Sequence, residues 1–167
     1  YNEVSNLSGI EAFVNLTELD CSYNWLDKID ISKNTALTLF NCEYNGLSEL
    51  DVSKSIYLKE LICNENRIKS LNLTHNLKLE KLDCNNVSLS ILDLSKNLSL
   101  TFVSCYTNGL YTICINENHN TSTWGKYDRS KYSTNCKPLA FSETPSTEKA
   151  EVLKAYDVLS SGHLLSP

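Results

Sequence analysis

The chain has no methionine, only three histidines, and no apolar run approaching the roughly 18 residues of a membrane-crossing helix. Acids outnumber bases by twenty to fifteen, and no cluster of Lys and Arg forms the basic patch that a phosphate backbone demands. That balance argues against nucleic acid as a partner. With neither Met nor an apolar leader at Tyr1, the expectation is a trimmed fragment whose targeting segment is missing. Catalytic patterns are lacking as well. There is no Gly-x-Ser-x-Gly and no glycine-rich phosphate loop, and His75, His119 and His163 do not have metal-ligand spacing. The expectation is a non-enzymatic protein with no catalytic residue, cofactor or metal.

What the chain does have is a beat. Cys21, Cys42, Cys63, Cys84 and Cys105 follow one another at intervals of 21 residues. Each lies in a unit of the form Leu-x-x-Leu-x-Cys-x-x-Asn-x-Leu-x-x-Leu-Asp-(Ile/Val/Leu)-Ser-x-Asn, and units begin at Asn15, Ala36, Tyr57, Lys78 and Ser99. A sustained period of this length marks a repeat architecture, in which each unit buries its apolar side chains against its neighbours.

The first half of each unit matches the leucine-rich repeat signature, with Cys at an apolar position. The chain resembles bacterial leucine-rich repeat proteins of the 21-residue cysteine-ladder type, as in internalin-J-like adhesins and surface proteins of the Bacteroidetes, over roughly residues 7 to 136. The resemblance implies a mainly β leucine-rich repeat solenoid. It would be a right-handed superhelix with a parallel concave sheet, short extended or 3-10 segments on the convex side, and an irregular C-terminal cap. The expected divisions are 1–14, a degenerate N-terminal repeat in which Ile10 and Phe13 cover the open end; 15–119, five repeats; 120–136, a cap; and 137–167, a connector. For residues 146–165 two readings stand. One is a helix with Val152, Tyr156 and Leu159 on one face, which is favoured; the other is a strand-turn-strand sorting tail.

Within each coil, Leu19 and Cys21 and their equivalents Phe40/Cys42, Leu61/Cys63, Leu82/Cys84 and Val103/Cys105 alternate along a strand and point inward. Leu16, Leu37, Leu58, Leu79 and Leu100 join them. The ladder cysteines are expected to be reduced and structural. A buried free Cys behaves as a small hydrophobe, parallel in-register thiols aim the same way, and a single column cannot wrap a tetrahedral ion. Asn24, Asn45, Asn66 and Asn108 form a second column bonding to turn backbone; Val87 breaks it, so a local disturbance is expected in the fourth repeat.

The second halves, such as Leu26/Ile29/Ile31, have apolar positions two apart and read as extended. Asp30, Asp51, Asn72 and Asp93 point outward; a calcium-binding stack is conceivable, and a solvated face is favoured. Ser32, Ser53, Thr74 and Ser95 are expected to bond the turn backbone. Asn34, Asn76, Asn97 and Asn118 close the coils, with Ser55 the exception. Asn-x-Ser/Thr tripeptides at Asn15 and Asn72 are by-products of the repeat.

Related arrays finish in a Cys…Trp…Tyr-Ser-x-Asn-Cys segment, matched here by Cys114, Trp124 and Tyr132 to Cys136. That resemblance implies a Cys114–Cys136 disulfide and, with it, an oxidising compartment, secreted or at the cell surface. The concave strands expose Glu18, Leu39, Glu60, Lys81 and Phe102 in one row, with Asp20, Asn41, Ile62, Asp83 and Ser104 in the next. Ser22, Glu43, Asn64, Asn85 and Tyr106 make a third row, and Tyr23, Tyr44, Glu65, Asn86 and Thr107 a fourth. Aromatic anchors within a polar rim typify protein-binding surfaces. The expected site is Glu18, Tyr23, Leu39, Tyr44, Glu60, Ile62, Phe102 and Tyr106, binding another protein in adhesion or host interaction. The alternatives are a rigid spacer presenting another domain, or glycan recognition by the tyrosines.

Overall fold

The computed structural model describes residues 3–126 and 130–136. The expected helix or sorting tail, together with His163 and Tyr127, lies outside them. The described strands are β1 (Glu18–Asp20), β2 (Leu39–Asn41), β3 (Glu60–Ile62), β4 (Lys81–Asp83), β5 (Ile91–Asp93), β6 (Phe102–Cys105), β7 (Thr112–Cys114), β8 (Gly125–Lys126) and β9 (Lys131–Ser133). Two parallel sheets result: β1-β2-β3-β4-β6-β8 and β5-β7-β9. The chain is a mainly β solenoid. The first sheet keeps the sequence period as its register, with Leu19 opposite Phe40, then Leu61, Leu82 and Val103.

The strands are short because each supplies one inward side chain between two outward ones. Phe40, Leu61 and Leu82 are fully buried, as are Leu37, Leu58 and Leu79 beneath them. Each such side chain contributes about 1.5–3 kcal/mol of burial, which no coil realises without a neighbour above and below. The second halves run extended, as their spacing predicts, and in the last three coils they pair as the second sheet.

Asparagine side chains tie coil to coil. The Nδ2 of Asn66 donates to the carbonyls of Cys42 (2.9 Å), Cys63 (3.0 Å) and Asn64 (3.2 Å), and its Oδ1 accepts the Leu47 N–H (3.0 Å). Asn45 and Asn108 make equivalent bonds. At Val87 the column is interrupted. The strand register is unchanged on both sides, and the disturbance is confined to the turn, where Ser88 takes a left-handed φ of 72°. Asn85 and Asn86 do not fill the gap; their amides bond the carboxylates of Asp83 and Glu65.

Asn34, Asn76 and Asn97 form a parallel column at the closing turn, each fully buried. Asn76 donates to the carbonyls of Val52 and Ser55, and Asn97 to those of Leu73 and Asn76. Asn118, expected to close the fifth coil, is exposed and bonds only locally to Asn116. His119 takes the place instead. Its Nδ1 accepts the Asn116 N–H, which leaves Nε2–H to donate to the Asn97 carbonyl at 3.0 Å. The Ser32, Ser53, Thr74 and Ser95 bonds also differ from expectation. Their backbone N–H groups bond the Oδ1 of Asp30, Asp51, Asn72 and Asp93 two residues earlier, and the hydroxyls of Thr74 and Ser32 donate to the same Asn72 and Asp30 side chains. That Asx geometry commits each outward Asp or Asn side chain to its own turn.

The two ends differ from the middle. Val4, Leu7 and Ile10 pack half-buried on the first coil. Phe13 does not: it is 61% exposed, because the 3-10 turn Ile10–Ala12 delivers its carbonyl to Asn34 and leaves its side chain in solvent. At the other end, residues 120–136 add one strand to each sheet. Ser104 lies opposite Gly125 and Ile113 opposite Tyr132. Trp124 thereby follows Val103 in the core column, where its larger ring closes the end of the stack.

Candidate recognition surface

The outward residues of β1 to β4 and β6 align in rows a strand spacing apart, about 4.8 Å per coil. Immediately after the strand, every coil places a non-glycine residue in the left-handed region: Tyr23 (φ 55°), Tyr44 (50°), Glu65 (55°), Asn86 (50°) and Thr107 (54°). This conformation costs about 1–2 kcal/mol per residue. Inter-coil bonds hold it, among them Tyr23 N–H to the Glu43 carbonyl and Tyr44 N–H to that of Asn64. Because it recurs under five different environments, it belongs to the turn, and the turn aims whatever side chain stands there.

At the first two coils those side chains are tyrosines. Their rings stack at 4.6 Å between centroids and 13° between planes, and both are exposed. Phe102 and Tyr106 are exposed on the fifth coil, whereas Leu39 and Ile62 are half-buried between neighbouring rows. Polar contacts cross the coils between these aromatic ends. Lys81 pairs with Glu60 at 3.4 Å, Asn64 donates to Glu43 at 2.9 Å, and Asn86 donates to Glu65 at 2.8 Å. Asn85 donates to Asp83 and accepts from the Ser104 hydroxyl and the Tyr106 N–H. Burial, reinforced by the Glu43 charge, holds the Asp83 carboxyl above its ordinary value. At Asp20 burial pulls upward too, but the Ser22 hydrogen bonds outweigh it and the carboxyl lies below its usual value. Glu18 is exposed at the edge.

One apolar row was not anticipated. Val14, Ile56, Leu77 and Leu98 share the 21-residue register on the turn leading into the strands, and all are exposed. The period was the signal for it, had the positions following the closing Asn been aligned.

The ladder cysteines Cys21, Cys42, Cys63, Cys84 and Cys105 are free and buried. Burial pushes the Cys21 thiol up to about 12 and that of Cys105 to about 11, and raises those of Cys42, Cys63 and Cys84 as well. None is a thiolate at neutral pH, so none is a nucleophile or a ready metal ligand. Among the described residues no group of three or more His, Cys, Asp or Glu side chains is placed to hold a metal. Nor is any helix among them long and apolar enough to cross a membrane. Cys114 and Cys136 are joined as a disulfide with 5.7 Å between Cα atoms, linking β7 to the residues just past β9.

No protein-family model and no curated protein matches the chain. Solved structures do. The functional domain of InlJ from Listeria monocytogenes, described as including a cysteine ladder, superposes with a TM-score of 0.63 at 26% identity over 81% of this chain. An internalin, InlF, from the same species aligns over 81% of this chain at 16% identity with a TM-score of 0.43. The aligned region spans 34% of the InlJ structure and 52% of the InlF structure. The fold is a leucine-rich repeat solenoid, and the buried cysteine column is what it shares with the InlJ domain.

Proposed function

We propose that this chain is a recognition module of a secreted or cell-surface bacterial protein, binding another protein through its concave face in adhesion or host contact. The observation that carries this reading is the exposure of four aromatic side chains on the solvent face of one sheet, the Tyr23–Tyr44 stack at one end and Phe102 with Tyr106 at the other. Stacking coils requires nothing of these positions, since Asn, Ser or Lys serves equally well in the equivalent places of other repeats. The Cys114–Cys136 bridge agrees with an oxidising compartment. We assign the chain no catalytic role.

The test is binding of the purified chain to a panel of host-surface proteins and glycans, alongside a variant carrying Tyr44→Ser, Ile62→Ser and Phe102→Ser. Loss of a panel interaction in the variant supports recognition by this face. Retention of every interaction, or none in either protein, moves the assignment to a rigid spacer. A ligand displaced by soluble oligosaccharide makes it a glycan-binding module.

A further inference from the structure

We propose that the concave face receives a cationic segment of its partner, an extended stretch presenting Lys or Arg between apolar side chains; this rests on the recognition reading above. The four outward rows of the five full coils contain six acids, Glu18, Asp20, Glu43, Glu60, Glu65 and Asp83, and a single base, Lys81. That excess of five equals the net charge of the entire sequence, −5, whose other fourteen acids are matched by fourteen bases. Among the described residues the positions off this face hold nine acids and ten bases, so their negative charge is concentrated on it.

The charge is held in place without being cancelled. Of these six carboxylates only Glu60 has a base within ion-pair distance among the described residues. Glu43, Glu65, Asp83 and Asp20 accept hydrogen bonds from Asn64, Asn86, Asn85 and Ser22, which orient the oxygens and leave the charge intact. Asp83 is the most affected, half-buried and raised by burial and by the Glu43 charge. A cation placed there relieves a repulsion already present in the free protein.

The aromatic residues set the geometry. Tyr23 and Tyr44 stack on the first two coils, Phe102 and Tyr106 stand on the fifth, and Glu43, Glu60, Glu65 and Asp83 occupy the coils between. Four strand spacings cover about 19 Å, the reach of an extended segment of about six residues. Arg suits the centre best, since its planar guanidinium binds carboxylates bidentately and stacks on tyrosine faces. A divalent cation is a poorer occupant, because no three of these carboxylates converge on one point.

The experiment compares binding of eight-residue arginine, lysine and serine peptides by isothermal calorimetry. One variant carries Glu43→Gln, Glu65→Gln and Asp83→Asn, each retaining the acceptor oxygen its Asn partner uses. A second carries Asp27→Asn, Glu49→Gln and Glu117→Gln, which remove the same charge from exposed positions off the face. The arginine peptide is expected to bind at least tenfold tighter than serine, and to lose about tenfold in the first variant and under twofold in the second. Raising salt from about 50 to about 500 mM weakens the unmodified chain's binding, which reads the charge without any substitution. Equal losses in the two variants, or indifference to salt, overturn the proposal. A panel protein that depends on Tyr44, Ile62 and Phe102 yet ignores the first variant also overturns it, while leaving the recognition reading intact.

Discussion

Gly125 lies directly beneath the ring of Tyr106: a Cβ at that glycine would clash with Cε2 and stand 2.7 Å from Cζ and the hydroxyl oxygen. The glycine is needed for close approach, since its backbone is an ordinary strand in register with Ser104. The last coil thus seats an exposed aromatic residue of the outer sheet face. Gly125→Ala is expected to swing the exposed Tyr106 ring away at a cost of less than about 1 kcal/mol. Concave-face binding should weaken while the melting temperature hardly moves; a variant that binds unchanged removes Tyr106 from the surface.

The amide columns should dominate stability. Asn66→Ala leaves the Cys63 carbonyl and the Leu47 N–H without a partner inside the stack, takes one of two donors from the Cys42 and Asn64 carbonyls, and is expected to cost about 2–4 kcal/mol. Ser55 is the converse case. It is fully buried with an unbonded hydroxyl, at a place where Asn34, Asn76 and Asn97 bridge to the coil before. Ser55→Asn extends that bridge and is expected to stabilise by about 1 kcal/mol in urea denaturation; destabilisation would show that the coil has no room for the amide.

The thiol ladder makes stability depend on alkaline pH. Folded, Cys21 titrates near 12 and Cys105 near 11; unfolded, each ionises near the ordinary value of 9.0. The folded values are raised, so this contribution is fully present below about pH 9 and is lost as pH climbs through the folded values. Melting temperature should fall from pH 8.5 to 11, and Cys21→Val should reduce the slope. Native protein should resist iodoacetamide at pH 8, with five thiols labelled after denaturation and seven after reduction.

Cutting the Cys114–Cys136 bond, which closes a separation of 22 residues, should cost about 3 kcal/mol. The loss should be local. Hydrogen exchange in a Cys136→Ser variant is expected to rise in β8 and β9 and to stay unchanged in β1 to β4. Uniform loosening would mean that the last coil supports the whole stack.

Much of this molecule was written in one period. With 21 residues per turn and apolar residues at fixed places, the strands, their parallel register, the buried cysteines and the rows of the outer face followed, because stacking is the only way such coils bury their leucines. What lay outside the period needed the tertiary structure. The sixth coil is two residues shorter between its strands, with Gly125 21 residues after Ser104 but Lys131 only 19 after Thr112, and Lys126 stands where a ladder Cys would be. Its core residue, Trp124, keeps the period 21 residues after Val103, but with Lys126 in the ladder position the unit around it no longer reads as a repeat. Likewise His119 displaces Asn118 because a ring nitrogen, carried one residue further along, still reaches the Asn97 carbonyl. The row containing Tyr23 and Tyr44 was legible from spacing alone. That their rings meet face to face was decided by the left-handed turn, which inter-coil hydrogen bonds impose on residues that would not otherwise adopt it.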